Sequence, residues 1–510
     1  MLEKDYIKLC SVCDAILKDN KIPWHAKAVS YLHIVREHPI FLEKYESLLG
    51  EDCGTKTFCE RFYRICRNLL GLIWILTKRD WLDPSAGSAK IKEADILFVS
   101  HLLNKSEISS EEDFYFYNVP QKLQHEGIRP VVALLNHTKE KFERHSGFFL
   151  KGNVPTILIR RHLNFRTAFK DICHLAWTAL ALITYSKRSS EILKKKISLQ
   201  SAIECFSPGT HWHLGLGSQI AKLVEELNIK MVVTTCEGHA WERIIYKYTK
   251  SDCKKVVCAG YQQAALFKKQ HAIRRSLGSA FDPDIIFASG KAAAEALKSN
   301  LENWTIGMLG SRRGRDKQAK ANSFKKINIP HCLVIPEGDH KECEILFSFS
   351  LKCAEAMQDW IFVWRLHPLL LNSPFLGEFK KKHQNLPNIQ ISNQTLDEDL
   401  ENCHVALYRG STAIVKAAMN GLLPVYLKKE NELSIDPIYF IDEHKKIVES
   451  PQEFFRFFEG RNVSEMKNKL AELATFQTQL DSCFSELNLD DLLRSCRNVN
   501  NIKDGTHFPQ

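Results

Sequence analysis

No stretch of this 510-residue sequence is apolar for long enough to cross a bilayer. The run HLAWTALALITY at 174–185 has twelve residues, against the ~20 that a spanning helix needs. There is no low-complexity tract and no repeat of solenoid period, which excludes a disordered chain and a repeat array. The sixteen cysteines run from Cys10 to Cys496 without a dense framework, and no signal-peptide pattern is seen. A chain of this size needs no stapling, so the thiols are expected to be reduced, in a cytoplasm. The one CxxC, Cys10 and Cys13, lacks a partner CxxC or HxxxH at zinc spacing; two small residues on one face of an N-terminal helix is the better reading. No Asp-x-Asp stands at a strand end to hold a divalent ion, so metal-independent chemistry is expected.

With 44% hydrophobic residues, the chain is long enough for at least two globular units. Its formal charge of +10 is concentrated. Residues 139–196 hold thirteen Lys and Arg against four Asp and Glu, a net +9. The twelve-residue apolar run lies inside this stretch, and a basic apolar segment can rest on an anionic membrane face or receive an anionic substrate. A buried core helix with solvated charged flanks is the alternative. No nucleic-acid fold signature or aromatic platform accompanies the charge, so no nucleic-acid partner is expected.

Residues 1–90 are expected to be helical, with apolar positions three and four apart, and carry no interpretable motif; WLDPSAGSAK at 81–90 is a linker by composition. Thereafter short apolar strands alternate with amphipathic helices. One series comprises ILFVS, VVALL (131–135), TILI (156–159), KMVVTT (230–235), KVVCAG (255–260) and DIIFASG (284–290). A second comprises TIGMLGS, HCLVIPEG (331–338), WIFVWRLHP (360–368), NIQIS (388–392), HVALYRGS (404–411) and LLPVYL (422–427). This alternation predicts an α/β chain of two Rossmann-like, doubly wound domains. The expected boundaries are 1–90 (helical extension), 94–302 and 303–450 (the two domains), and 451–497 (C-terminal helices).

Ligands of open parallel sheets bind beyond the carboxyl ends of the strands, and the unusual residues fall there. Glu237 and Gly238 follow one strand, with His239, Trp241 and Arg243 just beyond; Ser311, Arg312 and Arg313 follow another; Glu337 and Gly338 follow VIP. Arg365 and His367 close WIFVW, where packing gives no reason for either, and can donate hydrogen bonds to a nucleotide phosphate. Gly410 permits close backbone approach, Ser411 can cap the following helix, and with Thr412 they form a candidate phosphate cradle. Glu237, in the other domain, suits a general base, or alternatively a carboxylate capping its own helix. His239, Trp241 and Arg243 would shape the acceptor side, Trp241 by stacking on a sugar.

The order Glu-Gly (237–238), His-Pro (367–368), Ser-Thr (411–412) resembles the bacterial sialyltransferases and related Kdo transferases of the GT-B fold, over roughly residues 94–450. The resemblance implies two facing domains and transfer of a CMP-linked nonulosonate or Kdo to a hydroxyl of a glycan or glycolipid acceptor of a bacterial surface polysaccharide. It makes Glu237 the base, His367 the leaving-group stabiliser and Ser411 with Thr412 the phosphate clamp; Glu337 would meet the ribose, and Arg312 or Arg313 the phosphate or the sugar carboxylate. No cofactor beyond the nucleotide-sugar donor is implied. The family often has two acids before the glycine, whereas here the first position is Cys236. CDP-glycerol transferases and other surface-polysaccharide enzymes share the His-Pro and serine layout, so a CDP-glycerol or UDP-sugar transferase, an epimerase, and a non-catalytic scaffold docked at the membrane stay open. The expected location is the cytoplasm, with peripheral contact at the inner membrane face through residues 139–196.

Overall fold

The computed structural model describes residues 1–50, 63–68, 70–73, 91, 93–138, 148–159, 165–252, 256–299, 301, 304–313, 329–367, 370, 373–375, 377, 379, 386–441 and 443–501. The expected linker at 81–90 and Pro368 lie outside them.

The first sheet has eight strands: β1 (Ile96–Leu102), β2 (Pro130–Asn136), β3 (Phe148–Lys151), β4 (Val154–Ile159), β5 (Met231–Thr235), β6 (Val257–Gln262), β7 (Ile285–Ala288) and β8 (Thr305–Met308). Their order is β3-β4-β2-β1-β5-β6-β7-β8, and only β3 runs antiparallel to its neighbour. The second sheet holds β9 (His331–Ile335), β10 (Ile361–Trp364), β11 (Ile389–Ile391), β12 (Val405–Tyr408), β13 (Leu423–Leu427) and β14 (Lys446–Val448). Its order is β11-β10-β9-β12-β13-β14, with every pair parallel. These are two Rossmann-like domains with an N-terminal helical extension, as the strand–helix alternation predicts.

The central strands are buried on both faces, which is why they read as unbroken apolar runs. In β1, Ile96, Phe98 and Leu102 pack on one side with Phe116, Val119 and Leu123. Leu97 and Val99 pack on the other against Leu216, Ile220 and Leu223 of helix Pro208–Glu226. Strand order reverses beside β1 and β5 in the first sheet and beside β9 and β12 in the second. Each domain therefore has one switch point, where the loops diverge and leave a crevice.

One expectation is corrected. TIGM at 305–308, anticipated as the opening strand of the second series, pairs in parallel with β7 and is the edge strand of the first sheet. Ser311, Arg312 and Arg313 thus follow the first sheet's last strand. The chain also returns to this domain at its end. After helix Ala474–Cys483, Ser485 N donates to Ser289 O (2.9 Å), Ser311 N donates to Ser485 O (2.8 Å), and Asn488 N donates to Leu309 O (2.9 Å). Helix Asp490–Asn501 continues past 497, the expected end of the C-terminal helices, and buries Leu492 and Cys496 among Phe98, Met231 and Tyr261.

The N-terminal extension begins with helix Glu3–Lys18, which buries Cys10 and Cys13 on one face as expected. It continues through short 3-10 turns to helix Pro39–Leu49. Its contacts reach both domains: Asp14 pairs with Arg275 (2.7 Å) and His271 (3.0 Å) of the first, and Glu43 pairs with Lys341 (2.8 Å) of the second.

The returning helix is expected to be part of the first domain's core. Leu492→Ala should cost about 2–5 kcal/mol locally, read as lost amide-exchange protection in β7 and β8. Unchanged protection there would show that the helix only rests on the sheet.

Candidate active site

The first rim lies beyond β5. Every residue of that strand is buried, and the chain turns at Glu237, Gly238 and His239 into helix Ala240–Asp252. Gly238 has φ +86°, and a Cβ there would lie 2.2 Å from the carbonyl carbon of Ala272. Only glycine meets both conditions. The carboxylate that caps this helix is not Glu237 but Glu242, which accepts from the backbone N–H of Glu237 (3.0 Å), Gly238 (2.8 Å) and His239 (2.9 Å). An acid three residues after the N-cap is a capping-box signal, and HAWE carries it. Burial pushes Glu242 up, to about 7, against the pull of His239 and those backbone donors.

Glu237 is thereby released from capping. Its side chain is 33% exposed, with Oε2 3.5 Å from His239 Nε2. Burial would raise this carboxyl, but the His239 hydrogen bond and the charges of His239, Arg36 and Arg313 outweigh it and hold it down at about 2. His239 moves the opposite way: burial lowers it, and the two glutamates more than offset this, so its pKa is raised. Each shift favours the charged form of its group.

Two histidines not anticipated as site residues sit beside it. His101, near the end of β1, places Nδ1 2.8 Å from His137 Nε2, just past β2, and Nε2 3.1 Å from Thr235 Oγ1. Burial, then the neighbouring charges of His137 and His239, lowers His101 to about 3. Trp241 and Tyr115 each stand edge-on to its ring at 5.2 Å. The sequence shows each imidazole at the end of an apolar run, ILFVSHL and PVVALLN followed by His137, and the parallel pairing of β1 with β2 brings them together.

The second rim lies beyond β9 and β12. The Glu337 carboxylate crosses over the Gly410 turn, and a Cβ at Gly410 would stand 2.6 Å from its Oε1. The space over the serine turn is thus taken by a side-chain carboxylate. His38 Nε2 contacts Glu337 Oε2, and Arg36 approaches Oε1 to 3.6 Å. Burial would raise Glu337, but the hydrogen bond from His38 and the charges of Arg36, His38 and Arg409 lower it. His367 packs on Gly338, whose missing Cβ would lie 2.8 Å from the ring Nδ1. Burial lowers His367, Glu337 opposes this, and Arg313 adds to it. Ser411 is 7% exposed. The expected N-cap is not formed: the capping position of helix Ala413–Met419 falls on Thr412, which makes no side-chain cap bond.

The structure thus gathers Glu237, Gly238, His239, Trp241, Arg313, Glu337, Gly338, His367, Gly410, Ser411 and Thr412 at the two rims. Arg313 acts electrostatically on both Glu237 and His367, and Arg36 on both Glu237 and Glu337. Other candidates are committed elsewhere. Arg243 cannot shape an acceptor site: it is 1% exposed, with Nη1 2.6 Å from Asp282 Oδ1 and Nη2 donating to Ala272 O and Arg275 O. Arg365 donates to Asp399 (2.7 Å) and to Gln394 O (2.7 Å), which fixes the β10 and β11 ends rather than a phosphate. Arg312 pairs with Glu112 and lies over Tyr117. Ser311 is 2% exposed, and its Oγ accepts from Arg313 N (3.2 Å), supporting that turn. Among the described residues, no group of three or more His, Cys, Asp or Glu side chains is placed to hold a metal ion.

No family model and no curated protein matches the sequence. Among solved structures, the chain is similar to the glycotransferase of kitacinnamycin at 10% identity, covering 81% of this chain and 99% of that one, with a TM-score of 0.43. A UDP-GlcNAc 2-epimerase from Neisseria meningitidis bound to UDP-GlcNAc gives 13%, 79%, 99% and 0.40. An alpha,alpha-trehalose-phosphate synthase (UDP-forming) from Burkholderia vietnamiensis gives 11%, 81%, 99% and 0.47.

The Glu237–His239 pair makes a signed prediction. Because the folded-state pKa of Glu237 is depressed from 4.5 to about 2, its stabilising contribution is present above 4.5 and lost as pH falls through 2. His239→Gln removes the principal cause of that depression, so the Glu237 titration, followed by carbon-13 NMR of the carboxyl, should move upward. A titration that stays put would show that Arg36 and Arg313 alone hold it.

Proposed function

We propose that the protein is a nucleotide-sugar-dependent glycosyltransferase, with the acceptor bound by the first domain and the nucleotide by the second. One observation carries this reading. Arg313 acts electrostatically on Glu237 of the first domain and on His367 beside the second sheet, and Arg36 on Glu237 and on Glu337, so the ends of the two sheets lie within reach of shared cations. A nucleotide sugar needs such a place: an anionic leaving group on one wall and a proton acceptor on the other.

In the proposed reaction the acceptor hydroxyl oxygen attacks the anomeric carbon, its proton passes to the Glu237 carboxylate, and the bond from the anomeric carbon to the phosphate oxygen breaks with its electron pair leaving on phosphate. His367, Arg313, Ser411 and Thr412 stabilise that phosphate, and Glu337 accepts from a ribose hydroxyl. A carboxylate held near 2 is a weak base at rest. Donor phosphate beside Arg313 neutralises part of the field that depresses it, so Glu237 gains basicity once the donor is seated. The donor is a CMP-linked nonulosonate or Kdo and the acceptor a hydroxyl of a bacterial surface glycan or glycolipid. No divalent metal takes part; Arg313, whose charge acts at His367, supplies positive charge on the leaving-group side.

Contact with a membrane is proposed through helix Phe165–Arg188. It turns Phe169, Trp177 and Leu180 outward at 59%, 66% and 58% exposure, with exposed Arg166, Lys170, Lys187 and Arg188 at its two ends. Such a face suits an anionic bilayer surface. Among the described residues no helix is long and apolar enough to cross a membrane.

Glu237→Gln should lower turnover by about 10²–10⁴ while leaving nucleotide affinity nearly unchanged, and His367→Ala should weaken both. Calorimetry with CMP, CDP, UDP and GDP tests the donor: CMP supports the assignment, UDP or CDP redirects it to another transferase or an epimerase, and no binding overturns it. Loss of turnover on chelation with recovery in manganese would refute metal independence. Sedimentation with phosphatidylglycerol vesicles should fall when Trp177 and Leu180 are both changed to Ser; equal sedimentation of that variant would remove the membrane contact.

A further inference from the structure

The N-terminal extension, which carries no motif, places a cation within reach of both rims. Between the turn Ser30–Leu32 and helix Pro39–Leu49 the chain is held to the first domain: His33 Nδ1 meets Arg275 Nη2 at 2.7 Å, and Glu37 accepts from Lys269 N at 2.7 Å. His38 caps the helix by accepting from Ile40 N at Nδ1 (3.2 Å) and turns Nε2 toward Glu337. Arg36 lies between these anchors. Its guanidinium stands 4.8 Å from the Phe267 ring and 5.3 Å from the Phe41 ring. It keeps 24% side-chain exposure, and its approach to Glu337 at 3.6 Å is longer than a hydrogen bond.

A guanidinium stacked on aromatic rings donates in its own plane and is oriented before any ligand arrives. Arg313 acts beside His367, but over the Gly410 turn itself an incoming anion meets the Glu337 carboxylate. Phosphate can settle there only if a cation stands between the two negative groups. Arg365, Arg409 and Arg312 are engaged with Asp399, with Glu342 and Glu432, and with Glu112. Arg36 has the position and the exposure for the task, and its charge reaches Glu237 of the first rim.

We propose that Arg36 binds the phosphate of the nucleotide donor through its guanidinium fork, so that the N-terminal extension completes the active site of the second domain. The proposal rests on the nucleotide-sugar reading of the two rims. Two parallel N–H donors match two phosphate oxygens, and a lysine, as a point charge, does not reproduce that match.

The test uses the full chain. Calorimetry measures CMP and UDP, and ligand-observed NMR measures cytidine and uridine, for wild type, Arg36→Ala and Arg36→Lys. Arg36→Ala should weaken the nucleotide that wild type binds by about tenfold or more and leave the matching nucleoside unchanged; Arg36→Lys should fall between. Should the alanine variant not fold, the lysine variant, which keeps the charge and the ring contacts, carries the same comparison. Equal weakening of nucleotide and nucleoside would assign Arg36 a structural role and overturn the inference. Wild-type nucleotide affinity in both variants, or an effect confined to turnover of a carboxylated sugar donor, would overturn it while the nucleotide-sugar reading stands. If wild type binds no nucleotide, both fall together.

Discussion

Two sheets, parallel throughout but for the edge strand β3 and covered on both faces, govern where polar chemistry can reside. A central strand such as β1 or β12 has no dry surface to spare for a charge, because either face meets packed side chains and an unpaired ion there costs several kcal/mol. Charged groups are therefore driven to the strand ends. Parallel pairing then collects the carboxyl ends along one edge of each sheet. Glu237, Glu337 and His367 occupy their positions because the interior excludes them. Where a charge does enter the interior, as with Arg243 and Arg409, carboxylates meet it at hydrogen-bond distance.

Around Glu237 three residues divide separate tasks. Glu242 satisfies the backbone, Gly238 provides the left-handed turn and the close approach to Ala272, and His239 sets the charge state of Glu237. Such a division leaves one carboxylate free of structural duty at a strand end. The second rim is organised differently. Its glutamate is held from outside the domain by the extension, so the state of Glu337 is coupled to the position of a segment nearly three hundred residues away in sequence.

Much of the architecture was legible because burial writes itself into local composition: the apolar runs mark the strands, and glycine or small residues mark their ends. What local composition does not encode is which sheet an edge strand joins. TIGM has the texture of any short strand, and its membership of the first sheet is decided by pairing with β7 and by Asp491, whose carboxylate accepts from Met308 N. The rim residues Glu237, Glu337 and His367 stood out against their apolar strands. Arg243 and Arg365 stood out equally, and only their partners Asp282 and Asp399, distant in sequence, reveal a structural role. Arg36 gave no signal because its significance comes from Phe267 and Glu337, which reach it only through the tertiary fold. His101 and His137 were detectable as a pair only once β1 and β2 were known to be neighbours.

The chain's return to its starting domain also orders its biosynthesis. The segment 483–501 supplies backbone partners to Ser289, Leu309 and Ser311 and apolar cover for Phe98 and Met231. While the ribosome is still making the second domain, the first has an uncovered flank and an incomplete edge. Folding from the amino end can proceed only part of the way until helix Asp490–Asn501 has emerged to seal that flank. A nascent chain interrupted before residue 483 would leave that flank bare, with Phe98, Met231 and the edge strand Thr305–Met308 uncovered.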